Sequence, residues 1–120
     1  MASVFLDTNV LFDISERDVK QRELLDGHDT YLSTLSYHIL FYTYGHKVPN
    51  KEILKQKGEF NLVNLTSEIL SKAMIGPTKD LEDNIQLHSA AEANCDYFLT
   101  NDKKLLKTRF FGITKIVDKL

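Results

Sequence analysis

Two aspartates follow short apolar runs. Val4-Phe5-Leu6 leads into Asp7, and Tyr97-Phe98-Leu99 leads through Thr100-Asn101 into Asp102. Short runs rich in β-branched and aromatic residues read as buried strands, and the polar residues after them as turns that open helices. A third acidic group, Asp80, Glu82 and Asp83, starts a helical stretch just after Gly76-Pro77. In an open parallel sheet, ligands bind outside the carboxyl ends of the strands. Asp7 and Asp102 would share that edge, within reach of the third group. Two like charges about 4 Å apart repel by about 4 kcal/mol at an effective dielectric of about 20, so such a gathering is costly alone. A divalent cation turns the repulsion into attraction. Carboxylates and water, without sulfur or imidazole, suit Mg²⁺ or Mn²⁺. One or two such ions can activate water against a phosphodiester.

The same acids also suit helix starts. Aspartate is a preferred N-cap, and Asp80 with Asp83 three residues on has the spacing of a capping box. Singly each acid reads as a cap; acids after two separate strands plus a third cluster read as a site.

The elements that must position them can be traced along the chain. Val10 to Leu25 reads as helix, but uneven apolar spacing predicts a break near Ser15, and Gly27 ends it. Tyr31-Leu32 is a brief strand. Ser33 caps a helix running to Gly45. Pro49-Asn50 opens a charged helix, Lys51 to Lys57, and Phe60 to Leu65 alternates as a strand does. Thr66 begins a helix stopped by Gly76-Pro77, and Asp80 to Asn94 is a longer one. After the strand at Tyr97, Lys103 to Lys107 is a short helix and Ile113 to Val117 a last strand. Helices alternating with short apolar strands predict a three-layer α/β/α fold around a parallel sheet of about five strands. No linker or repeat divides residues 1–120, so one domain is expected.

The bulk properties narrow the function. No apolar run approaches the roughly 20 residues of a membrane span, and the N-terminus has no signal-peptide pattern. Cys95 is the only cysteine, which excludes an intrachain disulfide and fits a reducing cytoplasm. A net charge of −2 argues against a broadly basic nucleic-acid surface. Any such contact must come from a local cluster, and Lys103, Lys104, Lys107 and Arg109 form the densest, directly after Asp102. This cluster reads as a solvated helix face that, beside a metal edge, can hold phosphates. His28, His38, His46 and His88 show no zinc-ligand spacing, and Cys95 reads as a buried structural thiol. Tyr37, Phe41, Tyr42 and Tyr44 crowd one helix, a pattern of core packing or of a partner surface.

The segment Val4-Phe5-Leu6-Asp7-Thr8-Asn9-Val10 resembles the opening motif of PIN domains, the ribonuclease fold of VapC-type toxins. Leu32-Ser33-Thr34-Leu35-Ser36 resembles the lead-in to that family's second motif. Asp80-Leu81-Glu82-Asp83 and Phe98-Leu99-Thr100-Asn101-Asp102 resemble its later acidic motifs, in the same order and spacing. The resemblance implies a metal-dependent endoribonuclease with Asp7, Asp83 and Asp102 as metal-site and catalytic acids. Asn9, Ser33, Thr100 and Glu82 would line the site. It further implies RNA as substrate, Mg²⁺ or Mn²⁺ as cofactor, and an antitoxin or a second copy of the chain as partner. One position departs from the pattern: the second-motif glutamate falls on Ile39, which binds neither cation nor water. His38 beside it points about 100° away on a helix, and Glu82 is another source of a carboxylate. The alternative reading is therefore a degenerate, non-catalytic PIN-like domain that binds RNA or protein. A third class, the phosphate-receiving and aspartate-nucleophile α/β domains, fits less well, because the phosphatases want a second aspartate where Asn9 stands.

Overall fold

The computed structural model describes residues 2–120. Its first strand, β1 (Ser3–Leu6), lies inside a six-stranded sheet. The other strands are β2 (Asp29–Ser33), β3 (Asn61–Val63), β4 (Tyr97–Leu99), β5 (Phe110–Phe111) and β6 (Thr114–Val117), in the order β3-β2-β1-β4-β6-β5. All neighbours run parallel except β5, which pairs antiparallel with β6. The five parallel strands agree with the sequence reading, which did not anticipate β5. That strand exists because the chain reverses through Gly112 at φ +61°, a left-handed value that glycine adopts without strain.

Alternation along the strands builds two cores. Val4 and Leu6 turn to one face with Leu32, and there meet Val10, Leu11 and Phe12 of α1 (Thr8–Phe12) and Leu40 of α2 (Thr34–Tyr44). Ile53 of α3 (Lys51–Lys57) packs at the edge of this cluster. Phe5, Phe98 and Ile116 turn to the opposite face, under Leu87 and Ala90 of α5 (Leu81–Glu92) and Leu105 of α6 (Lys103–Thr108). Phe5 and Phe98, paired in register, stack with ring centroids 5.6 Å apart, worth about 0.5–1.5 kcal/mol beyond the area they bury. A smaller cluster joins Ile69 and Ala73 of α4 (Ser67–Ala73) to Ile85 of α5. The result is the expected three-layer α/β/α arrangement.

The local signals read from sequence hold at most element ends. Ser33 caps α2 by accepting from the amide of Leu35, and Gly45 closes it at φ +64°. The predicted helix from Val10 to Leu25 is more broken than expected. Regular α-helix ends at Phe12, a π-helical turn covers Asp13–Arg17, and a 3₁₀ stretch covers Val19–Leu25. The break falls across Ser15, where the apolar spacing drifts off a helical period. Among the described residues no helix is long and apolar enough to cross a membrane.

Candidate active site

From β1 the chain moves to β2 and β3 on one side, and later returns to β4 and β6 on the other. The carboxyl end of β1 is thus the point where strand order reverses, the place where open α/β sheets bind ligands. Leu6 and Leu99 are register partners there, and the Asp7 amide donates to the Leu99 carbonyl at 3.0 Å. Asp7 and Thr100 therefore leave the sheet side by side.

Asp7 is buried at 4% exposure and caps α1. Its Oδ1 accepts from the Thr8 amide at 2.8 Å and its Oδ2 from the Thr100 hydroxyl at 2.7 Å. Burial pushes its carboxyl up from 3.8 to about 6, helped by the nearby charges of Glu82 and Asp102 and opposed by those two hydrogen bonds. Asp102, half-buried, caps α6 by accepting from the Lys104 amide at 2.8 Å, while its own amide donates to the Thr100 hydroxyl at 3.0 Å.

Asp83 lies half-buried in the first turn of α5, whose N-cap Asp80 accepts from the Asp83 amide at 3.0 Å. Its carboxyl is also raised to about 6, first by burial and then by the charges of Asp80, Asp7 and Asp102, with Lys104 pulling the other way. Glu82 is raised by burial and by Asp80 and Asp83, and lowered by the Thr8 hydroxyl beside it. Asp7 thus feels the charges of Glu82 and Asp102, and Asp83 those of Asp80, Asp7 and Asp102. The cap reading holds as well: Asp7, Asp80 and Asp102 each close a helix start.

By donor chemistry the set fits a hard divalent cation, since every contributor is an oxygen, and the carboxyls of Asp7 and Asp83 are raised first by burial and then by neighbouring negative charge. Among the described residues, no group of three acid, histidine or cysteine side chains converges closely enough to hold an ion in the conformation present.

The remaining sequence candidates are distributed as follows. Ser33 is buried and serves as the α2 cap. Asn9 is exposed in the first turn of α1. Ile39 is half-buried and packs against the core cluster around Leu6 and Leu40. His88 contacts the Gly76 carbonyl at 2.9 Å and meets Phe111 edge-on, and His46 pairs with Glu16. Cys95 is buried, with its thiol pushed up to about 12 by burial. Of the aromatics on α2, Tyr44 packs edge-on against Phe12 and Tyr37 hydrogen-bonds Gln56, while Tyr42 points to solvent.

Sequence reasoning missed Gln86. It is fully buried, and its amide reaches Ser36, whose hydroxyl lies 2.9 Å from that of Thr8. The signal was present: Gln86 follows Asp83 by three residues, on the same helix face, and interrupts the apolar pair Ile85 and Leu87.

The family model described as PIN domain matches residues 4–111. The chain belongs to the PIN domain family. A toxin–antitoxin complex from Klebsiella pneumoniae contains a chain that this PIN domain matches with TM-score 0.71 and 19% identity, over 98% of this chain and 99% of that one. The crystal structure of VapBC2 from Rickettsia felis bound to a promoter DNA fragment matches with TM-score 0.65 and 14% identity, over 97% and 99%. FitAcB from Neisseria gonorrhoeae matches with TM-score 0.51 and 20% identity, over 82% and 87%. At these identities the likeness is one of fold. No curated protein matches the chain.

Proposed function

We infer that this PIN domain is a metal-dependent endoribonuclease of the VapC toxin type that hydrolyses RNA phosphodiester bonds. What supports the reading is that Asp7, at the reversal point of the sheet, and Asp83 both have carboxyls raised by burial and, to a lesser degree, by neighbouring acids that include Asp102. Asp7, Asp83 and Asp102 would hold Mg²⁺ or Mn²⁺, which when bound supplies an acidified water and neutralises charge on the phosphate. The Thr8 amide and the Thr100 hydroxyl orient Asp7, and Thr100 also fixes the backbone of Asp102. Lys103, Lys104, Lys107 and Arg109 are exposed on and just after α6, where they can hold phosphates of the RNA.

A cognate antitoxin is the proposed protein partner, by extension from the Klebsiella neighbour, which was solved in a toxin–antitoxin complex. Tyr42, exposed at 85%, offers an aromatic anchor for that partner or for a second copy of the chain. A cytoplasmic location fits the single, buried cysteine.

Ile39 favours a second reading. With an apolar residue packed into the core at the second-motif position, the domain would bind RNA or protein without cutting. Cleavage of a fluorogenic single-stranded RNA, with and without Mn²⁺ and with Asp7→Asn as control, separates the two. Mn²⁺-dependent cutting that Asp7→Asn loses is the expected result. RNA bound but left intact by the folded protein would overturn the nuclease reading and favour the second.

A further inference from the structure

Beyond Asp102 the chain changes sign. Residues 103–120 carry six basic side chains and one acid, Asp118, in a protein whose net charge is −2. Two strands of this segment, β6 and β5, finish the sheet outside β4. Phe98, Ile116 and Phe111 turn to the face covered by α5 and α6, where Phe111 meets His88 edge-on. Alternation sends the residues beside them to the opposite face. There Tyr97 is the register partner of Lys115, and Lys115 is the register partner of Phe110. Directly opposed residues of an antiparallel pair have Cβ atoms roughly 5 Å apart, so Lys115 stands beside the Phe110 ring. One row across β4, β6 and β5 thus reads aromatic, lysine, aromatic.

The row is covered at one end only. Tyr97 packs against the core cluster around Leu6, below α1 and α2. Phe110 is 54% exposed, and Lys115 is exposed beside it. A lone exposed apolar side chain is ordinary on a protein surface; this one stands among cations. Lys107 and Arg109 precede it and are exposed too. Among the described residues, Lys107, Arg109 and Lys115 form no ion pair. Arg109 is held at φ +67°, a left-handed value that is unfavourable for a residue with a Cβ. Its carbonyl accepts from the Ile116 amide at 2.8 Å, which pins that corner to β6.

An open ring among unpaired cations matches a ligand with flat faces and repeated negative charge. Single-stranded nucleic acid has both: its bases stack on aromatic side chains, and its phosphates pair with Lys and Arg. A duplex hides its base faces and cannot use the ring. We propose that Phe110, Lys115 and Arg109 form a platform for single-stranded RNA, with one base stacked on the Phe110 ring and the adjoining phosphates held by the two cations. The inference rests on the reading of RNA as the substrate, and it needs no cation at the acidic edge.

The test uses the full chain in a chelator, so that binding is read without cleavage. Fluorescence anisotropy of a fluorescein-labelled single-stranded oligoribonucleotide gives the affinity. Phe110→Leu should weaken binding roughly tenfold, the loss of one stacked base, and leave the salt dependence unchanged. Lys115→Gln should reduce the slope of log affinity against log salt by about 0.7, the loss of one phosphate contact on a single strand. The chain has no tryptophan, so Phe110→Trp places a single reporter at the platform. It should bind as the wild type does, and its emission should be quenched by the unlabelled single strand but not by a duplex of the same sequence. Wild-type affinity in Phe110→Leu, or tryptophan emission unmoved by saturating single strand, overturns the platform and leaves RNA standing as the substrate. A change in sedimentation in Phe110→Leu with RNA affinity intact overturns it as well, and assigns the ring to a contact between copies of the chain. Failure of the wild-type chain to bind the single strand at low salt overturns the RNA reading itself, and the platform with it.

Discussion

The hydroxyl of Thr100 donates to Oδ2 of Asp7 over 2.7 Å, joining the ends of two neighbouring parallel strands. The Thr100 hydroxyl oxygen in turn accepts from the Asp102 amide at 3.0 Å, so one side chain ties Asp7 to Asp102. Thr100→Val keeps the shape and removes both bonds. It should cost about 1–3 kcal/mol in urea denaturation, the penalty for leaving buried polar groups unpaired. It should also raise the Asp7 carboxyl further, because this hydrogen bond is the largest influence holding it down. Full wild-type stability in Thr100→Val would show that the bond does not anchor the edge.

The raised carboxyls give stability a pH dependence of definite sign. Asp7 and Asp83 stand at about 6, against an ordinary 3.8. Between those values the folded chain keeps protons that the unfolded chain has released. The contribution of these groups is therefore full below the unfolded value and is lost as pH rises through about 6. For Asp7 a shift of about two units corresponds to about 3 kcal/mol. Asp83, more open to solvent, contributes less. Denaturation in a chelator at about pH 5 and about pH 7.5 should show the loss, and it should shrink in Asp7→Asn. A pH slope equal in wild type and Asp7→Asn would contradict the assignment.

Asp7→Asn itself should separate stability from cation binding. Asparagine keeps the oxygen that caps Thr8, puts an amide nitrogen where the other oxygen accepts from Thr100, and removes a buried charge, the last being the larger effect. Without metal, above about pH 6, the variant should melt at or above the wild-type temperature. Added Mn²⁺ should raise the melting temperature of the wild type and leave the variant unmoved, because only a cation that binds the folded state shifts the transition. Equal Mn²⁺ shifts would remove Asp7 from the site.

Ile39→Glu tests the missing acid. Ile39 packs against the core, so a glutamate there should destabilise the metal-free protein. If the helix holds the position that the second motif implies, Mn²⁺ should restore the lost stability and bind more tightly than to the wild type. Destabilisation that Mn²⁺ does not reverse would assign Ile39 to the core alone.

Much of this arrangement was legible in the chain because its signals are local. Asp7, Ser33, Asp80 and Asp102 each announce a helix start by type and position, and each caps one. Val4-Phe5-Leu6 and Tyr97-Phe98-Leu99 read as strands because buried parallel strands are short continuous apolar runs. What was not legible depends on partners distant in sequence. β5 is two residues long and exists only by pairing back on β6. Gln86 looks like a stray polar residue until Ser36, 50 positions earlier, is seen against it. The mutual approach of Asp83 and Asp102 likewise depends on how α5 and α6 seat on the Phe5 face of the sheet, and no local pattern encodes that.

Asp7, Asp83 and Asp102 are proposed to hold one divalent cation together. Calorimetric titration of Mn²⁺ into the wild-type chain and into Asp7→Asn, Asp83→Asn and Asp102→Asn tests it most directly, with Asp80→Asn as the cap-preserving control. Saturable binding by the wild type is expected, with losses of more than roughly tenfold in each of the first three variants and a much smaller change in the control. Mn²⁺ affinity unchanged by any one of those three substitutions, in folded protein, would contradict it.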